Sequence, residues 1–132
     1  MMNLIGDALK INQKTTFKVS GSSMLPFFKH QATSVTIEKI EKPLKTWDVI
    51  LFKVSDHYIL HRIIKIKDQK IICQGDHLFS KEVIEINDVI GIVQSFETKG
   101  KVTYVNQKGY LMKVKLWRLI KPITLRVKRI FA

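Results

Sequence analysis

The sequence predicts a mainly β fold, a small sandwich or barrel, with a short N-terminal helix and a basic amphipathic helix at the C-terminus. Short β-branched and aromatic runs separated by turn-forming residues recur from Phe17 to Asn106. From Gly109 the apolar residues recur with a helical period instead. At 132 residues and 45% hydrophobic, the chain fits one domain with a real core.

The order of the expected elements follows from these periods. Met2 to Asn12 has apolar positions at helical spacing, which predicts a short helix, although Gly6 weakens it. Strands are then expected around the following runs: Val35 to Ile40, Asp48 to Phe52, Tyr58 to Ile66, Ile71 to Cys73, Asp88 to Phe96 and Lys101 to Asn106. We expect a β domain over residues 1–106 and a helical tail over residues 107–132. Pro122 should kink or divide the tail helix near Lys121.

The net charge of +12 is concentrated in the tail. Residues 101–132 contain nine basic and no acidic side chains. A basic amphipathic helix over residues 110–132 can lie on an anionic membrane surface. The same pattern also fits a helix packed on the β core, or in an oligomer interface, with a solvated basic face. We do not expect nucleic acid as a partner, because no recognition motif accompanies these cations.

Several classes of protein do not fit the sequence. No run reaches the roughly 18 apolar residues of a membrane-spanning helix, and Met1 to Ile11 does not resemble a secretory signal. We therefore expect a protein that is peripheral to a membrane or cytoplasmic. Cys73 lies alone in an apolar run, which predicts a buried structural cysteine. His30, His57 and His77 lack the spacing of zinc ligands, so neither a metal nor a cofactor is expected.

A candidate catalytic constellation stands out among the polar residues. Ser23 lies in Gly21-Ser22-Ser23-Met24-Leu25-Pro26, His61 lies in Tyr58-Ile59-Leu60-His61-Arg62-Ile63, and Asp76 follows Gly75. These residues offer a nucleophile, a base and a carboxylate. A serine hydroxyl needs a neighbouring base to become nucleophilic, and the base works best when a third group orients it. On its strand, His61 should share a face with Ile59 and Ile63, while Arg62 points to the other side.

These segments resemble the superfamily of signal peptidase I and the self-cleaving repressor peptidases, over roughly residues 17–96. The first resembles the Gly-x-Ser-Met-x-Pro signature, and Asp48-Val49-Ile50-Leu51-Phe52 resembles the Gly-Asp-Val-Val strand. His61-Arg62-Ile63-Ile64, Gly75-Asp76 and Asp88-Val89-Ile90-Gly91 continue the likeness. The histidine at position 61 is similar to the endoplasmic-reticulum-type and sporulation-type relatives, since the bacterial housekeeping enzymes carry lysine there.

The resemblance implies a role for each of these residues. Ser23 would be the nucleophile, and His61 would act as general base and then general acid. The carboxylate that orients His61 stays open: it is Asp76, which is slightly favoured, or Glu82, which stands where the histidine branch usually has a second acidic residue, or both. The sequence departs from the family at Gly21, where some relatives have an oxyanion-binding serine, and at Trp47, where the family has glycine.

The expected function is therefore a serine endopeptidase that cuts an extended peptide bound as an added strand, with small side chains before the scissile bond. A catalytically silent relative that binds a peptide or a membrane is the alternative. A self-cleaving repressor fits less well, because that class uses a lysine base.

Overall fold

The computed structural model describes residues 14–131, with side chains in the helix as far as residue 125. Within these residues the predicted mainly β fold is confirmed as an eight-stranded antiparallel sheet followed by a long helix. The strands are β1 (Thr15–Lys18), β2 (Thr33–Glu38), β3 (Val49–Val54), β4 (His57–Lys67), β5 (Lys70–Gln74), β6 (Glu82–Glu85), β7 (Val89–Thr98) and β8 (Lys101–Tyr104), and the helix is α1 (Lys108–Phe131). The helix predicted for Met2 to Asn12 lies outside the described residues.

The strands follow the order β1-β2-β7-β3-β4-β5-β6, so that β1 and β6 form the two ends. Strand β7 is ten residues long and has two neighbours on one side. Its first half pairs with β3 and its second half with β8. The four consecutive strands β3-β4-β5-β6 therefore form a meander that makes up one half of the sheet. This half contains His61 of the predicted site.

Strand β3 explains where the core lies. Val49 and Leu51 are buried in one apolar cluster and Ile50 and Phe52 in another. Because successive side chains of a strand point to opposite faces, the sheet is covered on both sides at β3. A continuous apolar run is typical of such a doubly buried strand.

Helix α1 packs on the first of these clusters through the buried side chains of Tyr110 and Val114. The helix is not divided near Lys121, since α1 continues through Pro122, and the kink that was the other expectation stays a prediction. Proline removes a single N–H donor, and the remaining hydrogen bonds carry the helix across that position. In the described part of the chain, no helix has both the length and the apolar character needed to cross a lipid bilayer.

Candidate active site

Ser23 is held in a compact turn directly after the β1 segment. The turn is closed by a hydrogen bond from the Leu25 N–H to the Ser22 carbonyl, 3.2 Å long. Gly21 enters it with φ of +92°, a conformation that favours glycine. The Gly21 N–H donates to His30 Nδ1 at 2.7 Å, which gives this histidine a structural role. Ser23 itself is partly exposed.

His61 is a buried residue in the middle of β4, opposite Ile50 in the register with β3. Its ring packs edge-on against Phe52, with 6.0 Å between the ring centroids. Nδ1 of His61 contacts Oε1 of Glu82, the first residue of β6. A carboxylate on Nδ1 fixes the ring orientation and leaves Nε2 to act on another group.

Nε2 of His61 faces the Ser23 segment across Gly75. A Cβ atom at position 75 would lie 2.6 Å from the Ser23 carbonyl oxygen and 3.1 Å from Nε2 of His61. The same carbonyl accepts a 2.9 Å hydrogen bond from the His77 N–H, which ties the turn to the loop after β5. The main chain of the expected nucleophile and the free nitrogen of the expected base are thus neighbours.

Within the described residues, the Ser23 hydroxyl makes no hydrogen bond to His61. Catalytic hydrogen bonds are often long in the absence of substrate and tighten in the complex.

Asp76 does not contact His61 through a hydrogen bond, and the slight sequence preference for it as the orienting carboxylate is corrected. Both of its oxygens accept from the Arg62 guanidinium, Oδ1 from Nε and Oδ2 from Nη2, each at 2.7 Å. Both side chains are fully buried. The physical reason is the alternation of β4: His61 points to one face and Arg62 to the other, as the sequence predicted, and Asp76 follows Arg62.

The Arg62–Asp76 pair joins the loops to the helix. Arg62 also donates to the Trp47 carbonyl at 2.9 Å and to the Tyr110 hydroxyl at 2.8 Å. The indole of Trp117 donates to the Asp76 carbonyl at 2.7 Å. Burial by itself lowers the pKa of Arg62, but the Asp76 carboxylate and the Tyr110 hydroxyl more than offset it and raise that pKa. The Arg62 guanidinium therefore stays charged at all ordinary pH values.

Trp47 has a backbone conformation that favours glycine. Its φ is +82°, in the left-handed region that side chains other than glycine rarely adopt. The position is held by a hydrogen bond from its N–H to the Ile63 carbonyl, 2.9 Å long, and by Arg118, which stacks 5.6 Å from the ring. Packing of the large ring compensates for the strained backbone.

Cys73 places a thiol beside the His61–Glu82 pair, and these three residues could hold a metal ion. Their ligand atoms all lie within 4.8 Å of one another, on the adjacent strands β4, β5 and β6. The sequence spacing gave no sign of this set. Burial, together with the Glu82 charge, raises the pKa of the Cys73 thiol to about 12, so a metal would have to displace a firmly held proton. The thiol is not a nucleophile in this state.

One further histidine borders the site. The buried Nδ1 atom of His77 has no hydrogen-bond partner among the described residues. Its main chain holds Ser23, as described above. This main-chain contact with Ser23 is a structural role.

Among residues 14–131, two cavities are lined by residues other than Ser23 and His61. The first, of about 690 Å³, lies between Pro26 and Phe27 on one side and α1 on the other, including Tyr110 and Trp117. The second, of about 380 Å³, borders the connection from β2 to β3. Neither cavity contains the candidate catalytic residues.

The residues that sequence reasoning missed are those that hold the site rather than perform chemistry: Arg62, Gly75, Tyr110 and Trp117. Arg62 and Gly75 lie next to predicted residues, whereas Tyr110 and Trp117 reach the site only when the chain folds.

No protein-family model matches this chain, and no match was found among curated proteins.

Proposed function

We propose that this protein is a serine endopeptidase of the signal peptidase type, in which Ser23 is the nucleophile, His61 the base and Glu82 the carboxylate that orients the base. The observation that carries the proposal is the placement of His61, with Nδ1 on Glu82 and Nε2 toward the main chain of Ser23. A buried imidazole held from one side by a carboxylate and open on the other suits proton transfer.

In the proposed reaction, Nε2 of His61 takes the proton of the Ser23 hydroxyl as Oγ attacks the substrate carbonyl. The main-chain N–H of Ser23 makes no hydrogen bond among the described residues, so it can donate to the developing oxyanion. The protonated His61 then gives its proton to the leaving amine, and Glu82 stabilises the imidazolium. Water, activated by the same base, releases the acyl group from Ser23.

The proposed substrate is an extended peptide that pairs with the sheet as an added strand, with small side chains before the scissile bond. Strands β1 and β6 end the strand order on either side, and the Ser23 turn and Glu82 adjoin them. Main-chain hydrogen bonds to such an edge provide affinity for many different sequences. The proposed location is at a membrane surface or in the cytoplasm.

A second candidate is a catalytically silent relative that binds a peptide or a membrane. The observation in its favour is that the 690 Å³ cavity lies beside α1 and not beside Ser23 and His61.

The experiment that separates the two candidates is incubation with a peptide library and, in parallel, with a serine-reactive phosphonate, both with mass-spectrometric readout. Cleavage and labelling are expected for the wild type and for Ser22→Ala, the neighbouring serine, and are expected to disappear in Ser23→Ala. His61→Ala should abolish cleavage. Cleavage that persists in Ser23→Ala or His61→Ala would exclude the peptidase mechanism.

Adding a chelator tests whether His61, Cys73 and Glu82 hold a metal that the reaction needs. Activity is expected to survive EDTA, and added Zn²⁺ is expected to inhibit because it would bind His61 and Glu82. Loss of activity in EDTA that Zn²⁺ restores would assign the reaction to a metal centre instead.

A further inference from the structure

Helix α1 presents two faces of different character. Its inner face contacts the β core and the Asp76 segment through Tyr110, Val114 and Trp117. Its outer face contains five large aliphatic or thioether side chains, each between 42% and 76% exposed: Met112, Leu116, Leu119, Ile120 and Ile123. We call these five residues the outer apolar face.

The outer apolar face is a continuous stripe. Its members stand at positions i, i+4, i+7, i+8 and i+11, which lie on one side of an α-helix. Isolated exposed apolar side chains are common on soluble proteins, but a contiguous apolar stripe along a helix marks an interaction surface. Leu116 and Ile120 also line the 690 Å³ cavity, so the apolar surface extends from the stripe into a groove.

The charges around the stripe indicate what it contacts. The exposed cations Lys108, Lys113 and Lys115 lie on the same helix, and α1 contains no acidic residue. A second copy of this face would bring two cationic surfaces together, which like-charge repulsion opposes. Nucleic acid would meet a central row of aliphatic side chains that offers it neither hydrogen bonds nor stacking. An anionic lipid bilayer matches both features, with headgroups for the cations and acyl chains for the stripe.

We infer that α1 docks this protein in the plane of an anionic phospholipid bilayer, with the outer apolar face in the interface and the lysines at the headgroups. The inference is independent of the proposed peptidase activity. It has a consequence for the site, because Tyr110 and Trp117 tie the inner face of the same helix to Arg62 and Asp76. Docking therefore fixes the orientation of the candidate active site relative to the membrane surface.

The test is sedimentation of the full chain with vesicles of phosphatidylcholine containing about 30% phosphatidylglycerol, beside vesicles of phosphatidylcholine alone. Binding is expected to the anionic vesicles and to fall as salt is raised. The double variant Leu119→Gln/Ile123→Gln should bind roughly tenfold or more weakly, and Lys113→Gln/Lys115→Gln roughly fivefold more weakly per charge. The matched controls Val54→Gln and Lys70→Gln, which change exposed residues of the sheet, should bind as the wild type does.

Three results would overturn the inference: no binding to anionic vesicles, equal binding to both vesicle types, or a Leu119→Gln/Ile123→Gln variant that binds normally. A dimer that this variant dissociates would likewise overturn it in favour of a protein interface. Ser23→Ala should bind vesicles normally, and Leu119→Gln/Ile123→Gln should still cleave a soluble peptide. Failure of the docking and failure of the peptidase proposal are therefore distinguishable.

Discussion

The carbonyl oxygen of Ser23 lies against Gly75 so closely that a Cβ atom at position 75 would come within 2.6 Å of it. Real Cβ atoms do not approach a main-chain oxygen at that distance, so the Ser23 turn must move if the glycine is replaced. Nε2 of His61, 3.1 Å from the same point, would be pushed as well. Gly75 thus leaves room for both the main chain of Ser23 and the ring of His61.

Gly75→Ala is therefore expected to lower kcat by roughly tenfold to a hundredfold, since displacements of about 1 Å in an active site cost that much. Steady-state cleavage of a peptide identified from the library measures it. Gly109→Ala is the matched control, because a Cβ there has no atom within 4 Å. This control should keep full activity and stabilise α1 by roughly 0.5–1 kcal/mol. Unchanged activity in Gly75→Ala would contradict the proposed geometry.

The two candidate carboxylates are expected to respond differently to substitution. Asp76→Ala leaves the fully buried Arg62 without its ion-pair partner and should cost about 3–5 kcal/mol of unfolding free energy. Glu82→Gln keeps the shape of a partly exposed side chain, so it should leave the stability nearly unchanged. It should lower kcat at least about 10²-fold, because the amide cannot stabilise the imidazolium in the same way.

Urea unfolding and peptide cleavage, measured on both variants, check this assignment. If Glu82→Gln retained full activity while a folded Asp76 variant lost it, the roles would be reversed. Asp76→Asn, which retains a hydrogen-bonding side chain for Arg62, serves as the milder variant should Asp76→Ala fail to fold.

The strands with strong alternation or continuous apolar runs could be predicted from the sequence, and β3, β4 and β7 were. Strands β1 and β6 were not predicted. Glu82-Val83-Ile84-Glu85 is short and half charged, and it becomes a strand only because β5 offers a partner edge. Local sequence does not contain that information.

The candidate site, too, could be predicted from the sequence only in part. The candidate nucleophile Ser23 and the candidate base His61 lie in local sequence motifs, whereas the partner of His61 depends on sheet register. The pairing of β4 with β5 sets Ile63 opposite Cys73, and the pairing of β5 with β6 sets Cys73 opposite Glu82. This brings Glu82 to Nδ1 of His61. The pairing of Asp76 with Arg62 likewise involves a distant part of the chain, because Arg62 also donates a hydrogen bond to Tyr110 of α1.

Trp47 gives a test of backbone strain. Trp47→Ala and Trp47→Gly both remove the ring that packs on Arg118, but only glycine adopts φ of +82° without strain. Trp47→Gly is therefore expected to be more stable than Trp47→Ala by about 1 kcal/mol, the reverse of the usual order of these residues in regular structure. Thermal unfolding of the two variants measures the difference. An alanine variant as stable as the glycine variant would show that the position is not strained.

Because of Lys121, we expect the free energy of unfolding to rise in alkaline solution. Lys121 is a buried lysine of α1 beside the Phe79 ring. Burial and the nearby positive charges of Arg118 and Lys81 lower its pKa from 10.5 to about 8, although the negative charge of Asp76 acts in the opposite direction. Between pH 8 and 10.5 the unfolded chain holds this proton and the folded chain does not, so the free energy of unfolding contributed by Lys121 rises with pH in that window. The increase should amount to at most about 3 kcal/mol.

Lys121→Met removes the titrating group at similar volume, so it should be more stable than the wild type at pH 7 and should lose the rise between pH 8 and 10.5. Urea unfolding across this pH range measures the difference between the two proteins, which cancels the titration of the other groups. Lys115→Met, an exposed position of the same helix, should follow the wild-type curve. Parallel curves for the wild type and Lys121→Met would mean that Lys121 keeps an ordinary pKa in the folded protein.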